Sequence, residues 1–456
     1  MRDVLFSLMI LGLLPVVFRR PLIGMLSFTW LAYMRPNDLC WGFAREQRWS
    51  FLIAAVTVAG YIAKPQGRWF VRDPRCYAMI GLAVWVGLSI LMGAEMMPRQ
   101  ADAYFEFCKI IGVALFTTVV ITRREHLRIM VWVIALSFAF YGVKVGLSGV
   151  LSLGRIKVLQ GPGGMLEDNN NFGLALAMGL PLLIQIARAE VNPILKRGVT
   201  AMIPMSILTI MLTHSRGAFL SMGSMVATLI WHSRNRLLGF GLAALGAVAA
   251  LSFVDRSYID RLSTIKDYEQ DGSAMGRLAA WQTALNMTKG RPVFGVGYGM
   301  FQRQYWNFAS GASHEGKRVA HNAYLQILAE CGVPAFCMYF SLIVLSMWTL
   351  WKIRRRAKAL YHKSWILEYT SMFEGSMVAF IVGSTFLNRA QFDLYYHFVA
   401  IIIAFERIAH AEMDGSMPIE APRSRGGELQ VVRKRMFGAA IRRNGFDRCS
   451  VHGGAS

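Results

Sequence analysis

The chain has 456 residues, of which 55% are hydrophobic and only 17% charged; its mean hydropathy is +0.39 and its formal net charge +22. A soluble domain carries about a quarter charged residues, so this composition excludes an ordinary soluble protein, and recurring apolar runs of the length that crosses a bilayer core of about 30 Å mark a polytopic membrane protein. The charge excludes a nucleic-acid module too: Lys and Arg sit in short connectors, "KPQGRWFVRDPR", "TRREHLR", "HSRNR" and "WKIRRRAKALYHK", and no soluble basic module is long enough to carry that function.

In chain order, the first apolar run, Val4 to Phe18, has the length of a signal peptide. It is followed by Arg19-Arg20-Pro21 and more membrane sequence, without an A-x-A-like cleavage site, and is read as retained. Further apolar spans are predicted at 21–34, 49–64, 76–93, 104–121, 127–147, 171–187, 199–213, 217–232, 236–253, 332–351, 368–387 and 394–410. The first two runs are short enough to form one hairpin, so the expected total is about 12–13. Placing the basic connectors in the cytoplasm puts 35–48, 94–103, 148–170, 214–216, 254–331 and 388–393 on the opposite side.

The fold class expected is therefore all-α, a polytopic integral membrane protein with one long structured periplasmic loop. Its segments are N-terminal transmembrane helices over 1–253, the periplasmic loop with helices over 254–331, C-terminal transmembrane helices over 332–410, and a disordered cytoplasmic tail over 411–456, polar, basic and rich in Gly and Arg. Within the loop, Ser273 is placed to cap a helix running through "AMGRLAAWQTALNMTKG" and stopping at Gly290 before Arg291-Pro292; the Gly-rich "FGVGYGMF" follows. The six cysteines form no CxxC pair, and neither a zinc site nor a disulfide framework is expected.

An ionisable group at membrane depth is costly and is a candidate for function. Arg216 sits in "LTHSRGAFLSMG", a turn between two spans with almost no connector. It reads either as a snorkelling arginine or as an anion site, because the guanidinium fork matches phosphate and Gly217 lets backbone approach closely. Arg277 lies one turn into the loop helix, with Trp281 on the same face at i+4; it is either a solvated helix charge or an anion ligand near a helix start. His321 heads the helix that follows the loop, where the N-terminus disfavours the imidazolium, so a neutral ring able to accept a proton is expected. A capping or packing role is its plain alternative, and His214, His314 and His397 compete with it on the same side. His126, His232, His362 and His410 fall on the cytoplasmic side. Weaker candidates are Glu167 and Asp168 in "GMLEDNNNFG", as sugar contacts or helix caps, Arg389 in "FLNRAQFD", as an anion contact, and "GVGYG", as a phosphate cradle. There is no H-E-x-x-H, no Walker loop and no D-x-D, so neither a metal nor another cofactor is expected, and a donor already activated on the outer face fits.

Taken in order, "LTHSRGAFL", "GRLAAWQTALNMTKGRPVFGVGYGMF" and "HNAYLQILAECGVP" resemble the O-antigen ligase and polymerase superfamily (the Wzy/WaaL type) over roughly residues 165–350. The N-terminus resembles the exosortase A-associated O-glycosylation ligase branch. It departs from that branch at Met34-Arg35-Pro36-Asn37, where Met-Asn-Pro-His is expected. The resemblance implies a glycosyltransferase at the periplasmic face of a bacterial inner membrane. The donor would be a polysaccharide on undecaprenyl pyrophosphate; the acceptor would be a lipid A–core sugar, a glycoprotein, or another lipid-linked repeat. It implies that Arg216 and Arg277 bind pyrophosphate and that His321 is the essential histidine; Arg389, read from its place at an outer edge as either an anion contact or a snorkelling charge, is taken as a further pyrophosphate contact. Trp281 and Asn322 join Glu167 and Asp168 as weaker sugar or acceptor contacts. The mechanism expected is a metal-independent single displacement with inversion, a covalent histidine intermediate being its rival. A lipid or polysaccharide transporter is the alternative of another class.

Overall fold

Proline and short polar side chains set where the helices begin. Four helices open on a proline, whose missing N–H costs nothing at a first turn: α2 (Pro21–Met34), α5 (Pro74–Leu91), α6 (Pro98–Val120) and α9 (Pro193–Leu212). Side-chain oxygens cap others: Asp168 caps α8 (Asn169–Ala189), Ser215 caps α10 (Arg216–Trp231), Asn322 caps α13 (Ala323–Leu360) and Ser364 caps α14 (Trp365–Gly383). The other helices among the described residues are α1 (Arg2–Arg19), α3 (Phe43–Glu46), α4 (Trp49–Ala63), α7 (Arg124–Leu151), α11 (Gly272–Gly290), α12 (Phe301–Phe308) and α15 (Asp393–Met413).

This computed structural model describes residues 1–65, 67–233, 235–241, 272–309, 319–361, 364–386 and 390–415. Arg389, His314, His362, most of the span expected at 236–253, the first part of the long loop and the tail beyond 415 lie outside the described residues. Among the described residues the only β pairing is one isolated bridge, between Gln160 and Asp168. Among the described residues, seven helices (α5, α6, α7, α8, α9, α13 and α15) are long and apolar enough to cross a membrane, and α2 and α4 are shorter apolar helices. The chain is an all-α, multi-pass membrane protein. Several boundaries differ from the sequence reading; α6 and α9, for example, begin six residues earlier than expected, at Pro98 and Pro193. The span expected at 332–351 belongs to a helix that starts at Ala323 and runs to Leu360, and the last span continues to Met413.

The centre of the bundle is α8 and α15, whose apolar windows are 83% and 78% buried against 28–56% for the other five long helices. Between lipid-embedded helices the apolar effect gives little discrimination, so polar contacts fix partners. Thr209 on α9 donates to the Gly142 carbonyl of α7 at 2.7 Å, and Ser376 on α14 donates to the Met178 carbonyl of α8 at 2.8 Å. The two ends are held by different contacts. At one end Arg75 pairs with Asp73 and Glu406, Arg354 with Glu374, and Arg124 lies over Trp365, so the basic connectors do share one end. At the other, hereafter the site end, Gly42 and Ala44 bind Asp3, Ala94 binds Val296, and Asn169 binds Thr213.

Candidate functional site

Arg216 is the first residue of α10. Ser215 caps the helix, its hydroxyl accepting the Ala218 N–H at 3.1 Å while donating to Asn170 at 2.6 Å. Arg216 therefore stands where a helix presents its positive end and first N–H groups. The next residue must be glycine: a Cβ on Gly217 would lie 2.6 Å from Cβ of Phe386. Phe386 ends the short 3-10 turn Ser384–Phe386 that follows α14. The Arg277 guanidinium lies over the same ring, 5.9 Å from its centroid, a cation–π contact of about 0.5–1 kcal/mol where exposed. One aromatic side chain thus gathers the start of α10 and the face of α11 that carries Arg277.

The His321 segment is fastened to the same place from two directions. Trp281, one turn beyond Arg277, donates its indole N–H to the Ala320 carbonyl at 3.0 Å. Tyr324, three residues after His321, donates its hydroxyl to the Ile381 carbonyl at the end of α14, 3.0 Å away. The path closes on itself: α10 to Phe386, Phe386 to α11, α11 to the His321 segment, and that segment back to the end of α14. His321 itself has φ +46°, a left-handed conformation in which histidine is enriched. The neighbouring Asn322 caps α13, accepting from Tyr324 and Leu325 N–H groups at 3.0 and 3.1 Å.

A second joint holds the loop to α13. Pro334 has no N–H, which leaves the Glu330 carbonyl without its helical donor, and Gly332 (φ +80°) breaks the helix between them. The freed carbonyls are taken up across the joint. Val296 N–H donates to Ala329 at 3.0 Å and Gly297 N–H to Glu330 at 3.0 Å. The Ser89 hydroxyl also reaches the Glu330 carbonyl at 2.8 Å, and the Trp85 indole reaches Cys331 at 3.1 Å. The Glu330 side chain, 3% exposed, accepts the Phe301 N–H at 3.2 Å. Glu95 and Arg303 form an exposed ion pair that ties the α5–α6 connector to α12, the Arg303 hydrogen bond holding the Glu95 carboxyl below its ordinary value.

Residues 201–340, which hold Arg216, Arg277, His321 and this joint, match the family described as O-Antigen ligase. This segment is an O-antigen ligase domain. Residues 1–178 match a family of unknown function (DUF5935). No curated protein matches the chain. At the coarse level the superfamily comprises membrane enzymes acting on lipid-linked saccharides.

Several side chains named from the ligase sequence have other work in the structure. Asp168 caps α8, accepting from Asn170 and Asn171 N–H groups at 2.9 and 3.2 Å; Glu167 beside it is exposed. The Asn322 oxygen is taken by its cap, and the Trp281 N–H by Ala320. The "GVGYG" segment is not a phosphate cradle: its Val296 and Gly297 N–H groups point at α13. Because α11 already begins at Gly272, Ser273 falls within its first turn, and Arg277 lies beyond the helix-start amides. His214, also left-handed at φ +51°, adjoins Ser215 and the site, whereas His397 lies elsewhere, bonded to Tyr33. His126, His232 and His410 are at the opposite end, contacting Val120, Glu374 and Arg356. Phe386, Tyr324 and Glu330 were not legible as site residues. A proline four residues after Glu330 and two after a glycine was the one sequence signal for the joint.

Proposed function

We propose that the chain transfers a polysaccharide en bloc from undecaprenyl pyrophosphate to a lipid A–core sugar at the periplasmic face of a bacterial inner membrane. The observation that carries this reading is that Phe386 packs against Gly217 at the start of α10, the turn that also carries Arg216, and lies under the Arg277 guanidinium, beside the fastened His321 segment. Two guanidinium-bearing segments and a helix N-terminus at one point favour a multiply charged anion such as a pyrophosphate. That group is both the anchor of the donor and the leaving group. Holding it where charge develops lowers the barrier.

His321 serves as the base that takes the proton from the acceptor hydroxyl. As that oxygen attacks the anomeric carbon, the bond from carbon to pyrophosphate breaks, and the leaving group carries the charge to the arginines. One displacement inverts the anomeric centre; a retained configuration would instead point to a covalent intermediate on histidine. The cap on Asn322 supports a chemical role for His321, because α13 does not need His321 as its capping residue. The reaction is expected to need no metal.

Glycan profiling of a deletion strain tests the acceptor. Loss of the lipopolysaccharide ladder supports transfer to lipid A–core. Loss of a glycoprotein, the outcome suggested by the N-terminal resemblance, would move the reading to a protein O-glycan ligase, and caps of a single repeat would move it to a polymerase. An unchanged profile with altered lipid distribution would indicate a transporter.

A further inference from the structure

At the end of the bundle that gathers the basic connectors, opposite the site end, a cavity of about 540 Å³ opens between the last turns of α8, α10 and α13 and the first turns of α14. That volume is in the range of sites that enclose whole small molecules. Tryptophans fix its depth. Trp231 directly precedes His232 at the end of α10, and Trp348 and Trp351 lie within the two turns before Arg354 on α13. All three are more than half exposed, and Arg236, Lys352 and Arg355 sit over their rings. Exposed tryptophans with cations at the ends of spans mark a membrane–water interface, so the cavity, lined by His232 and Arg354, lies at the level of lipid headgroups.

The charges of the cavity are not balanced. Arg354 lines it although only 9% exposed. Its Nε donates to Glu374 at 3.0 Å, and its Nη2 donates to Glu374 and, at 3.0 Å, to the Ser371 hydroxyl; its Nη1 bonds to no described residue. A buried donor left unmet is costly, and a ligand oxygen in the cavity would meet it. Arg188 and Lys358, both exposed, also line the cavity and have no hydrogen-bonding or ion-pair partner among the described residues. Glu368 is the acid in the lining, and a neutral amide, Gln185 Nε2, holds its carboxylate at 2.8 Å. His232 adds no charge near neutral pH, because partial burial and the Arg354 charge lower its pKa. With Glu374 counted, three cations face two carboxylates, so one negative charge completes the set. Cations near helix C-termini also complement the helix dipole without any ligand, but that role needs neither a cavity nor an unmet nitrogen on a buried arginine.

We propose that this cavity binds the headgroup of an anionic phospholipid, its phosphodiester on Arg354, Arg188 and Lys358 and a headgroup hydroxyl on Glu368. Basic pockets between spans suit such headgroups, and a phosphodiester carries the single charge that is missing. The site is separate from the arginine site and does not rest on the proposed function. It is tested on the purified, delipidated full-length protein in detergent, with phosphatidylglycerol, phosphatidylethanolamine or inorganic phosphate added. Binding is read by native mass spectrometry and by the rise in melting temperature that a ligand of the folded state produces. Phosphatidylglycerol is expected to stay bound as one lipid and to raise the melting temperature well above the other two probes. Arg188→Gln combined with Lys358→Gln changes only exposed side chains, so the protein should fold, and phosphatidylglycerol binding should weaken about tenfold or more. Glu368→Gln removes the opposing charge and should tighten it. Lys352→Gln combined with Arg355→Gln, cations that lie over Trp348 and Trp351 outside the cavity, should change it less than about twofold. Equal losses in the two double variants would reduce the effect to the general basic charge of this end and overturn the pocket. Equal protection by inorganic phosphate would assign the cavity to a soluble phosphate compound, and equal protection by phosphatidylethanolamine would remove the need for net charge; either overturns the anionic-lipid assignment. Wild-type protein that retained no phosphatidylglycerol would sink it outright.

Discussion

Gly332→Ala is the sharpest perturbation of the architecture that joins Arg277 to His321. Gly332 has φ +80° and ψ −179°, a region open almost only to glycine. Holding alanine there costs about 1–3 kcal/mol in backbone strain. Its Cβ would also overlap the carbonyls of Val293 and Pro292. The alternative is to open the joint and lose the bonds from Val296 N–H to Ala329, from Gly297 N–H to Glu330 and from Val333 N–H to Pro292. At about 1 kcal/mol net each, that is about 3 kcal/mol. The two costs are similar, so a mixed population with a loosened loop is expected. Gly299→Ala is the control: it has φ +75° but nothing within 4 Å of a Cβ, so it adds strain without the clash. Thermal unfolding, limited proteolysis of the 291–300 segment and a transfer assay on the full chain should rank wild type above Gly299→Ala and Gly299→Ala above Gly332→Ala. The last should lose at least tenfold in turnover, since 1.4 kcal/mol is a factor of ten. A Gly332→Ala protein with wild-type melting, protection and turnover would refute the claim that this joint positions the site.

Arg216→Ala and Arg277→Ala should each cost about 10–100-fold in transfer, from the loss of a charge-assisted contact of about 1.5–3 kcal/mol, while expression and melting persist. Lys should rescue only partly, because the fork is lost. An alanine variant with near-normal transfer would return that arginine to a snorkelling or surface charge. His321→Ala and His321→Gln should stop turnover while sparing undecaprenyl pyrophosphate binding. His321→Asn is the stringent control, since asparagine also tolerates the left-handed backbone; near wild-type transfer by it would remove histidine from the mechanism. Transfer should survive a metal chelator, and a full loss reversed by a divalent ion would break the metal-free scheme. At the opposite end, burial pushes the Asp73 carboxyl up, but the hydrogen bonds and charge of Arg75 outweigh it and hold Asp73 below its ordinary value. A depressed carboxylate adds stability above its unfolded pKa of about 3.9, and that stability is lost as pH falls through the folded value. Asp73→Asn should therefore melt lower at neutral pH and show a weaker fall on acidification; an unchanged acid profile would show that the pair adds nothing.

The sequence by itself determined the membrane class, the all-α fold and the identity of the ligase segment. Hydropathy over about 20 residues reports bilayer crossing directly, and Pro21, Pro74, Pro98, Asp168 and Ser215 mark helix starts through local chemistry that needs no partner. It also singled out Arg216, Arg277 and His321, because a charge at a membrane edge is conspicuous against apolar neighbours. It misassigned "GVGYG" for the opposite reason. A Gly-rich turn looks alike whether its N–H groups face phosphate or protein, and only the kink at Gly332 and Pro334, more than thirty residues on, supplies the carbonyls that claim them. The same holds for Phe386 and Tyr324, whose roles depend on which helix ends are neighbours in space. The Tyr33–His397 pair joins residues 364 positions apart. Contacts of that range carry no periodic or local signal in the chain, so the tertiary packing alone decides that these residues meet, and with them where the site lies.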